Sequence, residues 1–301
     1  VPSHVDGNDV DQRIVEASAV VPWCGAVTGW AALRWCGALW FDGDDASGTR
    51  LPVDLCVSTH DIRPQSGIAV SGEGLDPRLV RWVDGVPVTD PRFASSFVMR
   101  YQATRRRAMV DLEKAMFHDL VSREEMAVFL AGQRGWTGIQ QARDALAGSD
   151  ENSWSPQEGA MRDIWVVQAE KPRPTCNRPL FDLEGHHIAT PDLLDPVHGV
   201  FGDYDGELHL GRAQRDTDLR REGLLRHHDL EGVVMTAPDT RAPDAFIARL
   251  DDAYRRAARH SVADRTWTVE QPGWWTPTDT VARRRALSED QRLRLLRHRR
   301  G

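Results

Sequence analysis

Pro191-Asp192-Leu193-Leu194-Asp195-Pro196-Val197-His198-Gly199-Val200-Phe201-Gly202-Asp203-Tyr204-Asp205-Gly206-Glu207-Leu208-His209 is the stretch on which the fold of this chain turns. Short apolar runs at Leu193-Leu194 and Val200-Phe201 are separated by proline and glycine, which is how two neighbouring strands read. Two adjacent strands, each ending with an aspartate, set both carboxylates on one edge of a sheet. A hard cation such as magnesium takes several such oxygens, and one or two carboxylates with water and a substrate phosphate suffice. Held there, it would activate a water and neutralise the charge that grows on a phosphodiester. Glu158, on the preceding helix, can supply a third oxygen, and His209 can move a proton. Spacing alone leaves the bland alternative open, because acidic loops are common and Asp205-Gly206 reads first as a turn. A calcium loop is excluded: the glycine is out of register and no glutamate closes the loop.

Outward from this stretch the order is helix, strand, strand, strand, helix, strand, a mixed α/β layer and not a bundle. Ser155-Pro156-Gln157-Glu158 opens a helix with proline at its first position, predicted to run to 169. Strands are expected over 178–183, 187–194, 199–203 and 232–236, with a helix over 212–228. Upstream, Gly148-Ser149-Asp150-Glu151-Asn152-Ser153 reads as a polar linker and a domain boundary. Before it, helices are predicted over 10–20, 28–36, 90–101, 103–120 and 137–147, with another starting at Ser122 under a Ser-x-x-Glu capping box. Strands are expected over 53–58, 67–70 and 80–83, and Asp84-Gly85 has the chemistry of a hairpin turn into 86–88. The expected architecture is α+β or α/β: a mainly helical N-terminal domain with a few short strands (1–150), a mixed sheet flanked by helices (151–260), and a Trp/Pro-containing, Arg-rich C-terminal tail (261–301).

Ser155-Pro-Gln-Glu158, Pro191-Asp192, Gly202-Asp-Tyr-Asp-Gly-x-x-His209 and then Arg212…Asp216…Arg220-Arg221…Leu224 together resemble, in order and spacing, a family of small bacterial domains. That family, of actinobacterial type, is related to the very-short-patch repair endonucleases within the PD-(D/E)XK superfamily, and the likeness covers roughly 155–240. It implies a restriction-endonuclease-like fold and a metal-dependent DNA endonuclease, a phosphodiester hydrolase using Mg2+ or Mn2+. Glu158, Asp192 and Asp203 would hold the metal, with His209 as base or water-positioner. Arg212, Arg220 and Arg221 would meet nucleic acid, and Asp205 and Asp216 would support from behind. Arginine and aspartate at three- and four-residue spacing also make a plain surface ion-pair ladder.

Two positions depart from the family pattern. Asp203 stands where the family usually has glutamate, one methylene longer. Asp205 stands where the superfamily has its lysine; Lys114 and Lys171, the only lysines, lie elsewhere. The repair-endonuclease branch also lacks that lysine and relies on histidine. Two readings follow: an active endonuclease in repair or in defence against foreign DNA, or an inactive nuclease-fold DNA-binding regulator or antitoxin. Residues 10–148 more weakly resemble abortive-infection-type antitoxins and transcription regulators. DNA is thus the expected partner, with a second copy of the chain and a toxin or regulatory protein as the expected protein partners.

Composition narrows the classes further. Of 301 residues 41% are hydrophobic, enough for two cores, and no apolar run reaches the 18 residues that span a bilayer. A cytoplasmic protein acting away from membranes is expected. Cys24, Cys36, Cys56 and Cys176 form no Cys-x-x-Cys pair, so they read as buried small hydrophobes and neither a disulfide framework nor a zinc site. The histidine pairs His186-His187 and His227-His228 lack further ligands at metal-binding spacing. A net charge of −7 excludes an indiscriminate nucleic-acid coat, while the arginines after 282 are either phosphate contacts or a solvated helix end. Trp23, Trp30, Trp35 and Trp40 recur at spacing that suits core packing better than base stacking.

Overall fold

In the computed structural model the described residues are 7, 9–45, 47–58, 62–63, 65–205 and 223–299. They form two compact units, divided at Ser149 and Asp150.

The first unit carries strands β1 (Ala26–Val27), β2 (Val53–Cys56), β3 (Ile68–Ser71), β4 (Val80–Val83) and β5 (Val86–Thr89) in one sheet of order β3-β2-β1-β5-β4. β1 is the piece that sequence periodicity could not show, since two residues carry no alternation. It joins the halves of the sheet, antiparallel to β2 and parallel to β5. The Asp84-Gly85 hairpin forms, with both residues at positive φ (45° and 81°), the backbone that a two-residue turn needs to match strand twist. Helices Val10–Ser18, Gly29–Trp35, Pro91–Tyr101, Arg105–Phe117, Arg123–Gly132 and Ile139–Gly148 complete the unit. Asp90 caps with its side chain, and the Ser122–Glu125 capping box is closed from both sides. Thr28 sits at its expected N-cap but does not cap with its side chain; its buried hydroxyl pairs with Thr89 Oγ1 at 3.0 Å, stitching β1 to β5.

The tryptophan series divides. Trp30 is core, while Trp35 and Trp40 are half-buried, Trp40 stacking on Phe117 at 4.0 Å. Trp23 is 93% exposed, so the core reading fails there. The cysteines also divide: all four are free thiols, Cys56 and Cys176 buried, Cys24 and Cys36 half-buried.

The second unit opens with helix Pro156–Asp163, which runs on as a π-turn over Ile164–Gln168. Strands β6 (Thr175–Cys176), β9 (Leu193–Asp195), β10 (Val200–Asp205) and β11 (Glu231–Thr236) form a sheet of order β11-β10-β9-β6. β9 is antiparallel to β6 and β10, and β11 is parallel to β10. β7 (Leu180–Asp182), β8 (His187–Ala189) and β12 (Trp267–Thr268) form a second, antiparallel sheet. The single strand expected over 187–194 is therefore two strands in different sheets. Pro191, lacking an N–H for a ladder, lies in the break between them.

Strand alternation builds the core of the four-stranded sheet on both faces. Leu193, Val200, Val233 and Met235 pack with Met161, Ile164, Trp165 and the apolar stripe Phe246, Leu250, Ala253 and Ala257 of helix Asp244–Ala257. Leu194 and Phe201 turn the other way, to Leu180, Leu225, Leu230 and Trp267. Burying each such side chain is worth about 1.5–3 kcal/mol, so both faces hold β9 and β10 in register. Of the helix expected over 212–228, only 223–228 falls among the described residues; 223–227 is helical and 228 is already in a turn.

Residues 261–301 stand apart by composition but not by structure. β12 pairs with β7, and Trp267 is buried in the core. Arg284 is fully buried and donates to the carbonyls of Glu151 and Thr278, and the Val281 N–H meets the Glu151 carboxylate at 2.6 Å. His298 lies on Trp154 with ring centroids 3.9 Å apart. Arg284 is thus a core anchor, while Arg283 and Arg285 beside it are exposed, a difference that composition cannot show.

Candidate functional site

The register of β9 and β10 brings the two expected aspartates together. Leu193 faces Gly202, so one step further Asp192 falls opposite Asp203, on the same side of the sheet. Each carboxylate is then held by the neighbouring strand's backbone. Asp203 Oδ1 accepts from the Asp192 N–H (3.1 Å), and Asp192 Oδ2 accepts from the Tyr204 N–H (2.8 Å). Gly202 between them has a packing reason to be glycine, since a Cβ there would come within 2.9 Å of Trp165 Cζ3. Both aspartates are partly exposed.

Glu158 arrives from the start of helix Pro156–Asp163. Ser155 caps that helix by accepting from the Glu158 N–H (3.2 Å), and Glu158 Oε2 reaches back to the Trp154 N–H (2.8 Å). The Ser-Pro-x-Glu pattern thus has a plain helix-start role. A capping glutamate ordinarily sits in solvent, whereas Glu158 is only 5% exposed. Burial, and then the nearby Asp192 carboxylate, push its carboxyl up to about 8. The Trp154 N–H, the Asn177 amide and the Ser155 hydroxyl work in the opposite direction. A buried acid facing a second acid is an arrangement that a cation would relieve.

All of these donors are carboxylate oxygens, which suits a hard cation and not a thiophilic one. Among the described residues no three His, Cys, Asp or Glu side chains close around one point. A full protein chelate is therefore absent there. The donors fit the looser mode in which one or two carboxylates, water and a phosphate share the ion.

The remaining expected residues fall as follows. Asp205 is exposed at the end of β10. His209, Arg212, Asp216, Arg220 and Arg221 lie outside the described residues. Lys171 pairs with Asp251 (2.6 Å) and sits over the Tyr254 ring, and Lys114 belongs to the first unit, so neither replaces the superfamily lysine. His186 pairs with Asp182, His187 with Thr190 and His228 with Thr266, ordinary polar contacts.

Sequence reasoning missed the asparagines. Asn152, read as linker, is 6% exposed; its amide donates to the carbonyls of Cys176 (2.8 Å) and Asn177 (3.1 Å). Asn177 returns a bond to the Asn152 carbonyl (2.8 Å) and donates to Glu158 Oε2 (2.6 Å). A polar run beside a domain boundary looks like linker in any pattern. The nearby Trp154, whose Nε1 donates to Asn152 Oδ1 (3.0 Å), is the one signal that it is packed.

At the far end of β9 lies a second polar cluster. Buried Asp195 accepts from Tyr254 Oη (2.7 Å) and from the N–H groups of Val197 and His198, and it pairs with His198 Nδ1 (2.7 Å). Beside it, His198, His260, Arg265 and Trp267 line a shallow cleft. Neither Asp192 nor Asp203 lines this cleft.

Comparison with known proteins adds little to this geometry. No protein-family model matches the chain, and no solved structure matches it. It is similar to the uncharacterized proteins Rv2248 and MT2308 of Mycobacterium tuberculosis, from strains H37Rv and CDC 1551. Each is 28% identical over 200 residues, which cover 66% of this chain and 70% of theirs. Among the described residues no helix is long and apolar enough to cross a membrane.

Proposed function

We propose that the second unit is a magnesium- or manganese-dependent phosphodiester hydrolase acting on DNA, in repair or in defence against foreign DNA. The observation that carries this reading is the Asp192–Asp203 pair, each carboxylate gripped by the other strand's backbone, with buried Glu158 facing Asp192. The order helix acid, strand acid, next-strand acid is the one that the resemblance to very-short-patch repair endonucleases implies, and the β9–β10 register supports it.

A divalent cation bound at this edge supplies positive charge for the phosphate and acidifies a water. Asp192 and Asp203 hold it, and the Tyr204 and Asp192 N–H groups keep their carboxylates from turning away. Glu158 would assist from the helix as a carboxylate, the form a cation takes as ligand. The base or water-positioning role stays with His209, and phosphate contacts with Arg212, Arg220 and Arg221, all read from the sequence.

A second reading is a nuclease-fold regulator or antitoxin that binds DNA without cutting it. It is favoured by the absence, among the described residues, of three converging ligands, and by Asp205 standing where the superfamily lysine would. Plasmid nicking with Mg2+ or Mn2+, beside Asp192→Ala and Asp203→Ala, separates the two. Metal-dependent cutting lost in both variants is the expected result. Absence of cutting, with DNA binding intact in all three proteins, overturns the hydrolase in favour of the regulator.

A further inference from the structure

The helix acid and the strand acid are both tied to Asn177. Its backbone N–H donates to the Asp192 carbonyl (2.9 Å), and its side-chain Nδ2 donates to Glu158 Oε2 (2.6 Å) and to the Asn152 carbonyl (2.8 Å). The amide orientation follows from its partners. Turned the other way, Oδ1 would face a carboxylate and a carbonyl, both acceptors. Asn177 is 2% exposed and sits at φ 45°, in the left-handed region that asparagine tolerates better than most residues.

Two features exceed what a structural bridge needs. The Trp154 N–H and the Asn177 amide both donate to the same Glu158 oxygen, Oε2, which pins that oxygen. And Asn177 Oδ1 is a buried acceptor with no hydrogen-bond partner. Native proteins rarely leave such an atom unsatisfied unless a water, an ion or a catalytic role accounts for it.

We propose that Asn177 is a positioning residue for the cation site: its amide sets Glu158 against Asp192, and its Oδ1 accepts from the hydration shell of the bound divalent ion. The inference rests on the metal-dependent reading above. Residues that orient a metal ligand typically change affinity 10- to 100-fold when removed.

The test is calorimetric titration with Mn2+ alone, using the full chain, together with thermal unfolding of the ion-free protein. Asn177→Gly is the informative variant, because glycine adopts the left-handed backbone without strain and deletes only the amide. It should keep the fold, bind Mn2+ about 10- to 100-fold more weakly, and add little further loss in an Asn177→Gly/Glu158→Gln double variant beyond Glu158→Gln alone. A variant that melts earlier but binds Mn2+ as the wild type does reduces Asn177 to a structural bridge and overturns the proposal. If Asp192→Ala abolishes binding in that same experiment, the metal reading survives alone. A wild type that takes up no Mn2+ sinks both.

Discussion

At the scale of single residues, the informative group is Glu158, because its protonation and the proposed ion compete. Its folded value, about 8, lies above the ordinary 4.5, with burial as the main cause and Asp192 next. A raised acid contributes stability that is fully present below about 4.5 and is lost as pH rises through 8. The ion-free protein should therefore lose stability between those limits relative to Glu158→Gln, which does not titrate; denaturant unfolding at pH 5 and pH 9 measures the difference. The ion needs the carboxylate, so Mn2+ affinity should climb with pH and level off above about 8, with a proton released on binding at pH 7. Calorimetry in two buffers of different ionisation enthalpy counts that proton. An affinity flat from pH 6 to 9 would take Glu158 out of the site. Residue identity was also where the sequence was most legible. Glu158, Asp192 and Asp203 were singled out from type and spacing, and the fold brings Asp192 opposite Asp203 and within electrostatic reach of Glu158. Asn152 and Asn177 were not legible, because their significance lies in what their amides touch and not in any spacing.

At the scale of elements, the β9–β10–β11 sheet is what aims the acids, and its tolerances are small. Gly232 on β11 faces Phe201 on β10, and a Cβ there would lie 2.4 Å from the ring. Gly232→Ala should destabilise the second unit by about 1–3 kcal/mol, the usual range for forced overpacking, and lower metal-dependent nicking by shifting β10. Equilibrium unfolding checks the first effect, and a variant as stable as the wild type would mean that Phe201 is free to move aside. Strands with alternation or flanking turns were readable in advance, including β4, β5 and β10, and so were the helix starts at Asp90, Ser122 and Ser155, but not the helix Glu289–Leu295 under the Ser288 capping box nor the helix Asp244–Ala257. β1 and β6, two residues each, were not: their pairing is decided by the strands on either side. The split of 187–194 into β8 and β9 depended on a tertiary choice between two sheets.

At the scale of the whole chain, composition suggested a body ending near 260 with a basic tail after it, while packing makes 150–301 one unit. Trp267 in the core, β12 on β7, and Arg284 buried against Glu151 carry that difference. A fragment of residues 150–301 should unfold cooperatively, whereas 150–260 should lack a cooperative transition, having lost a strand and a core tryptophan. Thermal unfolding followed by circular dichroism distinguishes them, and a stable 150–260 fragment would restore the tail as a separate appendage. Arginine content cannot tell an anchor from a phosphate contact, which is why this part of the molecule was misread by composition.

The most direct measurement of the central claim is anomalous scattering from crystals of the protein grown with Mn2+ and a short DNA duplex. The account predicts a manganese peak about 2–2.5 Å from carboxylate oxygens of Asp192 and Asp203, with a DNA phosphate completing its shell and Glu158 on the same side. DNA bound with no manganese at that edge, and with Asp192 and Asp203 paired to arginines, would contradict it.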